Sequence, residues 1–232
     1  MNLKLIFLLM AVLIISLSKL DKKRVILVDQ IGQNLLFRTN SPADPDNQTY
    51  ELDTLFSFMK EVAQANNTQF PQNFTVNAYT LLNVFEPSHR NPEIKYFKEH
   101  PNYKLYHKVI IGNFISPLRY PAFIRKFMAE KYQYWNFDQL QKLVQRMNKN
   151  LAQQEEIPKI IFFHCVAGED RTGEVFGAYK MFINGWTYKQ ALDFDNHVLD
   201  RDIKKMSENG MNWFCWYLKY VHNMEDDCNY ES

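Results

Sequence analysis

The sequence has little excess charge, little glycine and few cysteines. Its 232 residues carry 27 Lys and Arg against 26 Asp and Glu, which leaves a net charge of +1 at pH 7. This near balance excludes the strong basic field by which proteins bind nucleic acid or an anionic membrane. Seven glycines stand against 18 phenylalanines and 13 tyrosines. With no internal repeat, that composition favours one compact globular domain over a low-complexity chain.

Three cysteines also limit the possible metal chemistry. No Cys-x-x-Cys pair occurs and no two histidines stand at ligand spacing, so the sequence predicts neither a metal site nor a cofactor. Cys215 and Cys228 could pair if the chain folds in an oxidising compartment. Alternatively, Cys215 is a plain buried thiol within its aromatic surroundings, residues 213–217.

A long apolar run occurs at the N-terminus. Residues 5–15 are apolar without interruption, Lys4 precedes them, and the small residues Ser16 and Ser18 follow on either side of Leu17. A membrane-spanning helix needs about 20 apolar residues, so this run is short for a permanent span. The pattern predicts a signal peptide over residues 1–18 that is removed by cleavage. An uncleaved signal anchor is the alternative.

Three N-x-Ser/Thr sequons agree with entry into the secretory pathway, since such sequons accept N-linked glycans. They begin at Asn47, Asn66 and Asn73, and so fall within a short stretch of the chain. The sequence therefore predicts a secreted or endolysosomal glycoprotein, with a single domain over residues 19–232 after the signal peptide.

Chemistry-bearing residues are concentrated in residues 164–173, which read His-Cys-Val-Ala-Gly-Glu-Asp-Arg-Thr-Gly. An apolar, β-branched run at 160–163 precedes them, and apolar residues at helical spacing follow from Val175 onward. The predicted order is strand, tight loop, helix N-terminus. At such a place the backbone can turn several N–H groups toward one anion.

The loop opens with Cys165 and has Arg171 six positions later. This spacing resembles the Cys-x5-Arg signature of cysteine-dependent phosphatases. The longer form, His-Cys-x-x-Gly-x-Asp-Arg-Thr-Gly, is similar to a subgroup of atypical dual-specificity, bacterial tyrosine-phosphatase-like and some lipid phosphatases. The resemblance is specific only over residues 158–185. It implies an α/β fold with a central sheet flanked by helices on both faces, as in dual-specificity and tyrosine phosphatases.

The same resemblance implies a role for each loop residue. Cys165, as a thiolate favoured by the helix N-terminus, would attack phosphorus and form a phosphocysteine. The planar fork of Arg171 would clamp two phosphoryl oxygens, and Thr172 would offer its hydroxyl to the sulfur. The phosphate cradle is expected to comprise Val166, Ala167, Gly168, Glu169, Asp170, Arg171 and Thr172.

Two residues compete for the role of general acid. Many relatives keep an aspartate on a separate upstream loop, but residues 131–137 contain no acid. Asp138 is the upstream candidate, and the alternative for it is a helix cap. Asp170 lies inside the loop, where some relatives place a proton-donating aspartate. We therefore expect Asp170 to supply the proton, and the activity to be greatest below neutral pH.

The carboxylates of Glu169 and Asp170 indicate which substrates are favoured, since they would repel additional phosphates beside the pocket. A phosphorylated protein or a small phosphomonoester is therefore expected, with tyrosine or dual-specificity protein phosphatase activity. The alternatives are a lipid or inositol phosphate phosphatase and a catalytically inactive phosphate-binding module. A sulfur-transfer or arsenate-reducing enzyme fits the Arg and Thr-Gly positions less well.

Periodicity predicts the elements on either side of the loop. Strands are expected at 24–28 and 34–38 around a turn at Gly32, and Thr187 with Gln190 is expected to form a capping box. The other expectations are a helix at 52–62, strands at 74–76, 79–85 and 105–111, a polar surface segment at 91–102, helix over 120–154, and helices through 199 and at 211–221.

Overall fold

The computed structural model describes residues 20–230, which form two β-sheets and eight α-helices. The main sheet has the strand order β1-β2-β7-β5-β6. Its strands are β1 (Ile26–Ile31), β2 (Asn34–Asn40), β5 (Thr75–Thr80), β6 (Lys104–His107) and β7 (Lys159–Cys165). A second, two-stranded sheet pairs β3 (Ala43–Asp44) with β4 (Thr49–Tyr50).

The helices follow the strands along the chain and vary widely in length. They are α1 (Leu52–Ala65), α2 (Pro87–Glu99), α3 (Ala122–Glu130), α4 (Tyr132–Trp135), α5 (Leu140–Ala152), α6 (Asp170–Asn184), α7 (Tyr188–Leu199) and α8 (Lys205–Val221). Short 3-10 turns also occur at Lys22–Arg24 and Pro117–Arg119.

The central strand β7 separates two apolar cores. Ile161 and Phe163 belong to the larger core, which α5, α6 and α8 complete on one face of the sheet. Ile160 and Phe162 point the other way, into the core that contains α1 and Phe97 of α2. Because successive strand residues face opposite sides, this continuous apolar run fits a strand that is covered on both faces. The predicted fold class is confirmed.

Strand direction determines where the loop lies. β7 runs parallel to β2 on one side and to β5 on the other, with Asn40 opposite Cys165 and Thr80 opposite His164. β6 is parallel to β5. The carboxyl ends of all four strands therefore lie at one edge of the sheet, and the loops that follow them surround the loop after Cys165.

Several local expectations are confirmed. β1 and β2 form an antiparallel hairpin whose turn has Gly32 at φ +60°. The helix expected over 52–62 is α1, and the capping box at the start of α7 is present, with the Thr187 side chain accepting from the Gln190 amide. The aromatic stripe in α8 is core, as its periodicity suggests.

Other expectations were wrong in extent or kind. The polar segment 91–102 is mostly α2, because Glu93 and Phe97 are buried on its inner side. The strands expected at 79–85 and 105–111 end at Thr80 and His107, and the chain continues as loops. The helix expected over 120–154 is three helices, α3 to α5. Hydropathy patterns do not predict that a polar side chain is buried, nor where an apolar segment leaves a strand and continues as a loop.

Cys215 and Cys228 form a disulfide in the structure. The predicted signal peptide lies outside the described residues. Among residues 20–230, no helix is both long and apolar enough to cross a membrane.

Candidate active site

The loop between β7 and α6 turns tightly against the end of β2. Gly168 has φ +67°, and a Cβ on it would lie 2.6 Å from the carbonyl oxygen of Thr39 and 2.7 Å from the amide nitrogen of Asn40. A side chain is therefore excluded both by space and by backbone conformation. The amide of Ser41 also donates to the carbonyl of Val166 at 3.0 Å. This backbone-to-backbone packing fixes the curvature of the loop.

Cys165 and Thr172 are joined through one hydroxyl. The backbone amide of Cys165 donates to Oγ1 of Thr172 at 2.9 Å. The Thr172 hydroxyl in turn donates to Sγ of Cys165 at 3.3 Å. Both residues are buried, with Cys165 3% exposed. Because the amide occupies a lone pair of the hydroxyl, the hydroxyl hydrogen is directed at the sulfur.

Arg171 is held by a partner that sequence patterns did not reveal. Its guanidinium forms a bidentate pair with Glu86, Nη1 to Oε2 at 2.9 Å and Nη2 to Oε1 at 2.6 Å. Nη1 also donates to the carbonyl of Leu81 at 2.9 Å. Burial raises the pKa of Glu86, but the Arg171 hydrogen bonds and charge outweigh it and leave the pKa below its usual range. The guanidinium is thus fixed at the loop before any anion arrives.

The two carboxylates of the loop are each neutralised by cations. Glu169 pairs with Arg24 at 2.9 Å and with Arg201 at 2.5 Å. Asp170 accepts from Arg201 at 3.0 Å, and from the backbone amide of Lys204 at 2.8 Å. The sequence predicts that these two carboxylates repel polyanionic substrates. The cations that pair with them come from outside the loop and weaken that repulsion.

The same pairing bears on Asp170 as a general acid. Burial raises the pKa of Asp170, but the hydrogen bonds and charges of Arg201 and Lys204 outweigh burial and leave the pKa below its usual range. A carboxyl in this environment holds its proton poorly at neutral pH. The environment therefore works against the expected role, and the assignment stays a prediction.

Asp138 is not a helix cap, because Gln139 occupies the N-cap position of α5. The Asp138 side chain is buried and accepts from the amides of Ile111 at 2.9 Å and Gly112 at 2.8 Å. Burial raises its pKa, although these two amides oppose the shift. Asp138 thus anchors the loop that follows β6, and each carboxylate oxygen already accepts from a backbone amide.

A buried ion pair contacts the loop after β7. Arg38 of β2 pairs with Asp195 of α7, and neither side chain is exposed. Nη2 of Arg38 also donates to the carbonyl oxygen of Gly168 at 3.1 Å. This bond ties one carbonyl of the loop to β2. An arginine within an apolar strand is the only sequence signal for it, since its partner lies 157 residues away.

His164 is also paired with a buried carboxylate. Its Nε2 lies 2.8 Å from Oε1 of Glu93, and the hydroxyl of Tyr50 donates to the same oxygen at 3.0 Å. The ring therefore links the end of β7 to α2 and β4. This contact fits a positioning role for His164 rather than a reacting one.

Apolar side chains lie exposed on the loops around Cys165. Val84 and Phe85 directly precede Glu86, which binds Arg171, and are 60% and 88% exposed. On the loop after β6, Phe114 is 79% exposed. Both loops leave the carboxyl edge of the sheet, the same edge from which the loop after Cys165 departs.

One group of possible metal ligands occurs within residues 20–230, on α8 and the segment that follows it. It comprises Cys215, Asp226 and Cys228. The two sulfurs are joined in a disulfide and so cannot serve as thiolate ligands.

No protein-family model matches the sequence, and no curated protein is significantly similar to it. Solved structures are similar. A kinase-associated phosphatase, with its catalytic-site cysteine substituted by serine, matches over 88% of this chain and 97% of its own, with TM-score 0.50 and 10% identity. The catalytic core of a PP-IP phosphatase from S. cerevisiae covers 86% and 88%, with TM-score 0.45 and 16% identity. TpbA of P. aeruginosa covers 85% and 96%, with TM-score 0.41 and 14% identity.

At these identities the likeness concerns the backbone. For the kinase-associated phosphatase it extends over 88% of this chain. The chain has the fold of the tyrosine and dual-specificity phosphatases.

Proposed function

We propose that this protein is a phosphomonoester hydrolase that works through a phosphocysteine intermediate. The observation that carries the proposal is the convergence of three groups on one loop. These are the sulfur of Cys165, the hydroxyl of Thr172 at 3.3 Å from it, and the guanidinium of Arg171 fixed by its carboxylate partner.

In the first step the Cys165 thiolate attacks phosphorus, an S–P bond forms and the P–O bond to the leaving group breaks. The backbone amides of the loop and Arg171 stabilise the charge on the three equatorial oxygens. In the second step water attacks phosphorus and the S–P bond breaks, which releases inorganic phosphate. The hydrogen bond from Thr172 stabilises the departing thiolate.

We propose aryl phosphates, and phosphotyrosine in particular, as the substrate class. Exposed Phe85 and Phe114 offer apolar surface to a ring beside the loop. The ion pair of Asp170 points the same way, because it leaves this carboxyl with a lowered pKa and so with a poor hold on its proton. A tyrosyl leaving group needs less protonation than an alkyl one, since its pKa is near 10.

Hydrolysis of p-nitrophenyl phosphate by the full mature chain and by Cys165→Ser tests the activity. We expect turnover in the first and none in the second, with vanadate binding retained in both. A wild-type chain that binds vanadate without turnover would instead be an inactive phosphate-binding module.

Substrate preference is tested with a phosphotyrosine peptide, glycerol phosphate and a phosphatidylinositol monophosphate in micelles. We expect the highest kcat/KM for the peptide, and a selective loss for it in Phe85→Ala. Phe123→Ala, which removes an exposed ring from α3, is the control. If kcat/KM is instead highest for the lipid, the exposed apolar surface binds acyl chains and not the ring of phosphotyrosine.

We also propose that the protein enters the secretory pathway. The Cys215–Cys228 disulfide fits an oxidising compartment, and Asn47, Asn66 and Asn73 of the sequons are all exposed. We expect a mature N-terminus near Lys19 and a mass shift with endoglycosidase. Unprocessed and unglycosylated protein in the cytosol would contradict this.

A further inference from the structure

A second concave site lies between the edge of the main sheet and helix α5. It is a cavity of about 240 Å³, open to solvent, and Cys165 and Arg171 are not among the residues that line it. The sheet contributes Tyr79 of β5 and Tyr106 of β6, together with Lys108 just beyond β6. Its opposite wall is the first two turns of α5.

The charge of this cavity is of one sign. Lys108, Lys142 and Arg146 line it, and no carboxylate does. Burial lowers the pKa of Lys108, and the nearby charge of Lys142 lowers it further, while Asp138 opposes the shift. Asp138 itself is buried, with its oxygens on two backbone amides. Its charge compensates Lys108 in part, whereas no carboxylate lines the cavity beside Lys142 and Arg146.

Two of the cations lack partners. Lys142 and Arg146 stand at i and i+4 on α5, where like charges destabilise a helix. Across residues 20–230, neither side chain makes a hydrogen bond or an ion pair, whereas Lys108 donates to the carbonyl of Phe137 at 3.0 Å. The N-terminus of α5 at Gln139 adds the positive end of a helix dipole to the same wall. An anion in the cavity would relieve these repulsions together.

The base of the cavity is aromatic. The rings of Tyr79 and Tyr106 stack with centroids 4.7 Å apart and an interplanar angle of 20°. Tyr79 is fully buried, and its hydroxyl is bonded to Asn150. Tyr79 is therefore a rigid support, and the half-buried ring of Tyr106 is the aromatic surface that the cavity offers beside its cations. This arrangement suits a phosphate joined to a planar ring.

We propose that this cavity is a second anion site that binds a small phosphate-bearing molecule or side chain, with higher affinity when the phosphate carries an aromatic ring. Lys142 and Arg146 hold the phosphate, and Tyr106, which stacks on the buried Tyr79, contacts the ring. The site is independent of the catalytic loop.

Isothermal titration calorimetry with phenylphosphonate, which is not hydrolysed, tests the proposal on the full chain. Arg171→Met removes the clamp of the catalytic loop, and we expect this variant to retain one binding site. Adding Lys142→Gln or Arg146→Gln should weaken that site by roughly tenfold. Lys149→Gln is the control, since it removes the same charge from α5 outside the cavity.

Inorganic phosphate is the second probe, and we expect it to bind the same site more weakly because it has no ring. If Arg171→Met does not fold, the number of phenylphosphonate molecules bound per wild-type chain is measured instead. Two sites are then expected, of which Lys142→Gln weakens one. A wild type with a single binding site would overturn the proposal. So would Lys142→Gln and Arg146→Gln variants that bind the probe as tightly as the Lys149→Gln control does.

Discussion

The hydroxyl of Thr172 lies between two atoms of Cys165, accepting from its amide at 2.9 Å and donating to its sulfur at 3.3 Å. In the proposed mechanism this places the donor where the second step needs it, because there the sulfur leaves as a thiolate when water attacks the phosphocysteine. The hydroxyl is also buried, so solvent does not compete for it.

Replacing Thr172 by valine should slow breakdown of the intermediate more than its formation. A hydrogen bond to a charged group contributes about 1.5–3 kcal/mol, so steady-state turnover should fall about 10- to 100-fold. Stopped-flow release of p-nitrophenol should then show a burst followed by a slow phase. Thr172→Ser keeps the hydroxyl and should behave like the wild type. A Thr172→Val enzyme with no burst and an unchanged steady state would contradict this role.

The buried pair of Arg38 and Asp195 should matter for both stability and activity. Asp195→Asn leaves a buried guanidinium without its countercharge, and breaking such a pair typically costs about 3–5 kcal/mol in the free energy of unfolding. The double variant Arg38→Met with Asp195→Leu removes both charges and should recover much of that loss in urea unfolding.

Activity should not recover with stability in that double variant. Nη2 of Arg38 is the donor to the Gly168 carbonyl, and methionine provides none. We expect kcat for p-nitrophenyl phosphate to stay reduced while the urea midpoint returns toward that of the wild type. Equal recovery of both would show that Arg38 only stabilises the fold and does not position the loop.

The ion pair of Asp170 with Arg201 leads to a leaving-group test. Because the pairing lowers the pKa of Asp170, we expect Asp170→Asn to reduce kcat by a similar factor for phenyl and p-nitrophenyl phosphate. That pattern fits a carboxylate that braces the loop. A much greater loss for phenyl phosphate would restore Asp170 as the proton donor, and the same signature in Asp138→Asn would move the role there.

Glu174 should make stability depend on pH. It is fully buried on α6, and both burial and the charge of Asp138 raise its pKa well above 4.5. The folded state therefore binds a proton that the unfolded state releases above that value. Stability from this group is complete below pH 4.5 and is lost as the pH rises toward the folded-state pKa.

Glu174→Gln should accordingly raise the free energy of unfolding at neutral pH and flatten its decline between mildly acidic and neutral pH. Urea titrations at several pH values measure this, with the exposed Glu156→Gln as the control. Gly210 packs so closely on Glu174 that an added Cβ would lie 2.0 Å from Oε1, so larger substitutions at either position are unsuitable. An unaltered slope in Glu174→Gln would assign the pH dependence to other groups.

Local signals predicted the part of the site that is continuous in sequence. A strand, a tight loop with Gly168 and a helix start were readable because each depends on neighbouring residues. Glu86, Arg38 and Asp195 were not, because all three come from distant elements. Glu86 pairs with Arg171, Arg38 donates to the Gly168 carbonyl, and Asp195 acts only through Arg38. Helix α2 was missed for the same reason, since its buried Glu93 looks like a surface residue until its partners are known.

The most direct test of the proposed chemistry is a rapid acid quench of the full mature chain during turnover of p-nitrophenyl phosphate, followed by mass spectrometry of the proteolysed protein. We predict a phosphoryl adduct on the peptide that contains Cys165, more abundant in Thr172→Val and absent in Cys165→Ser. Turnover that persists in Cys165→Ser, or a wild-type enzyme in steady turnover whose phosphoryl group appears on another residue, would contradict a phosphocysteine mechanism.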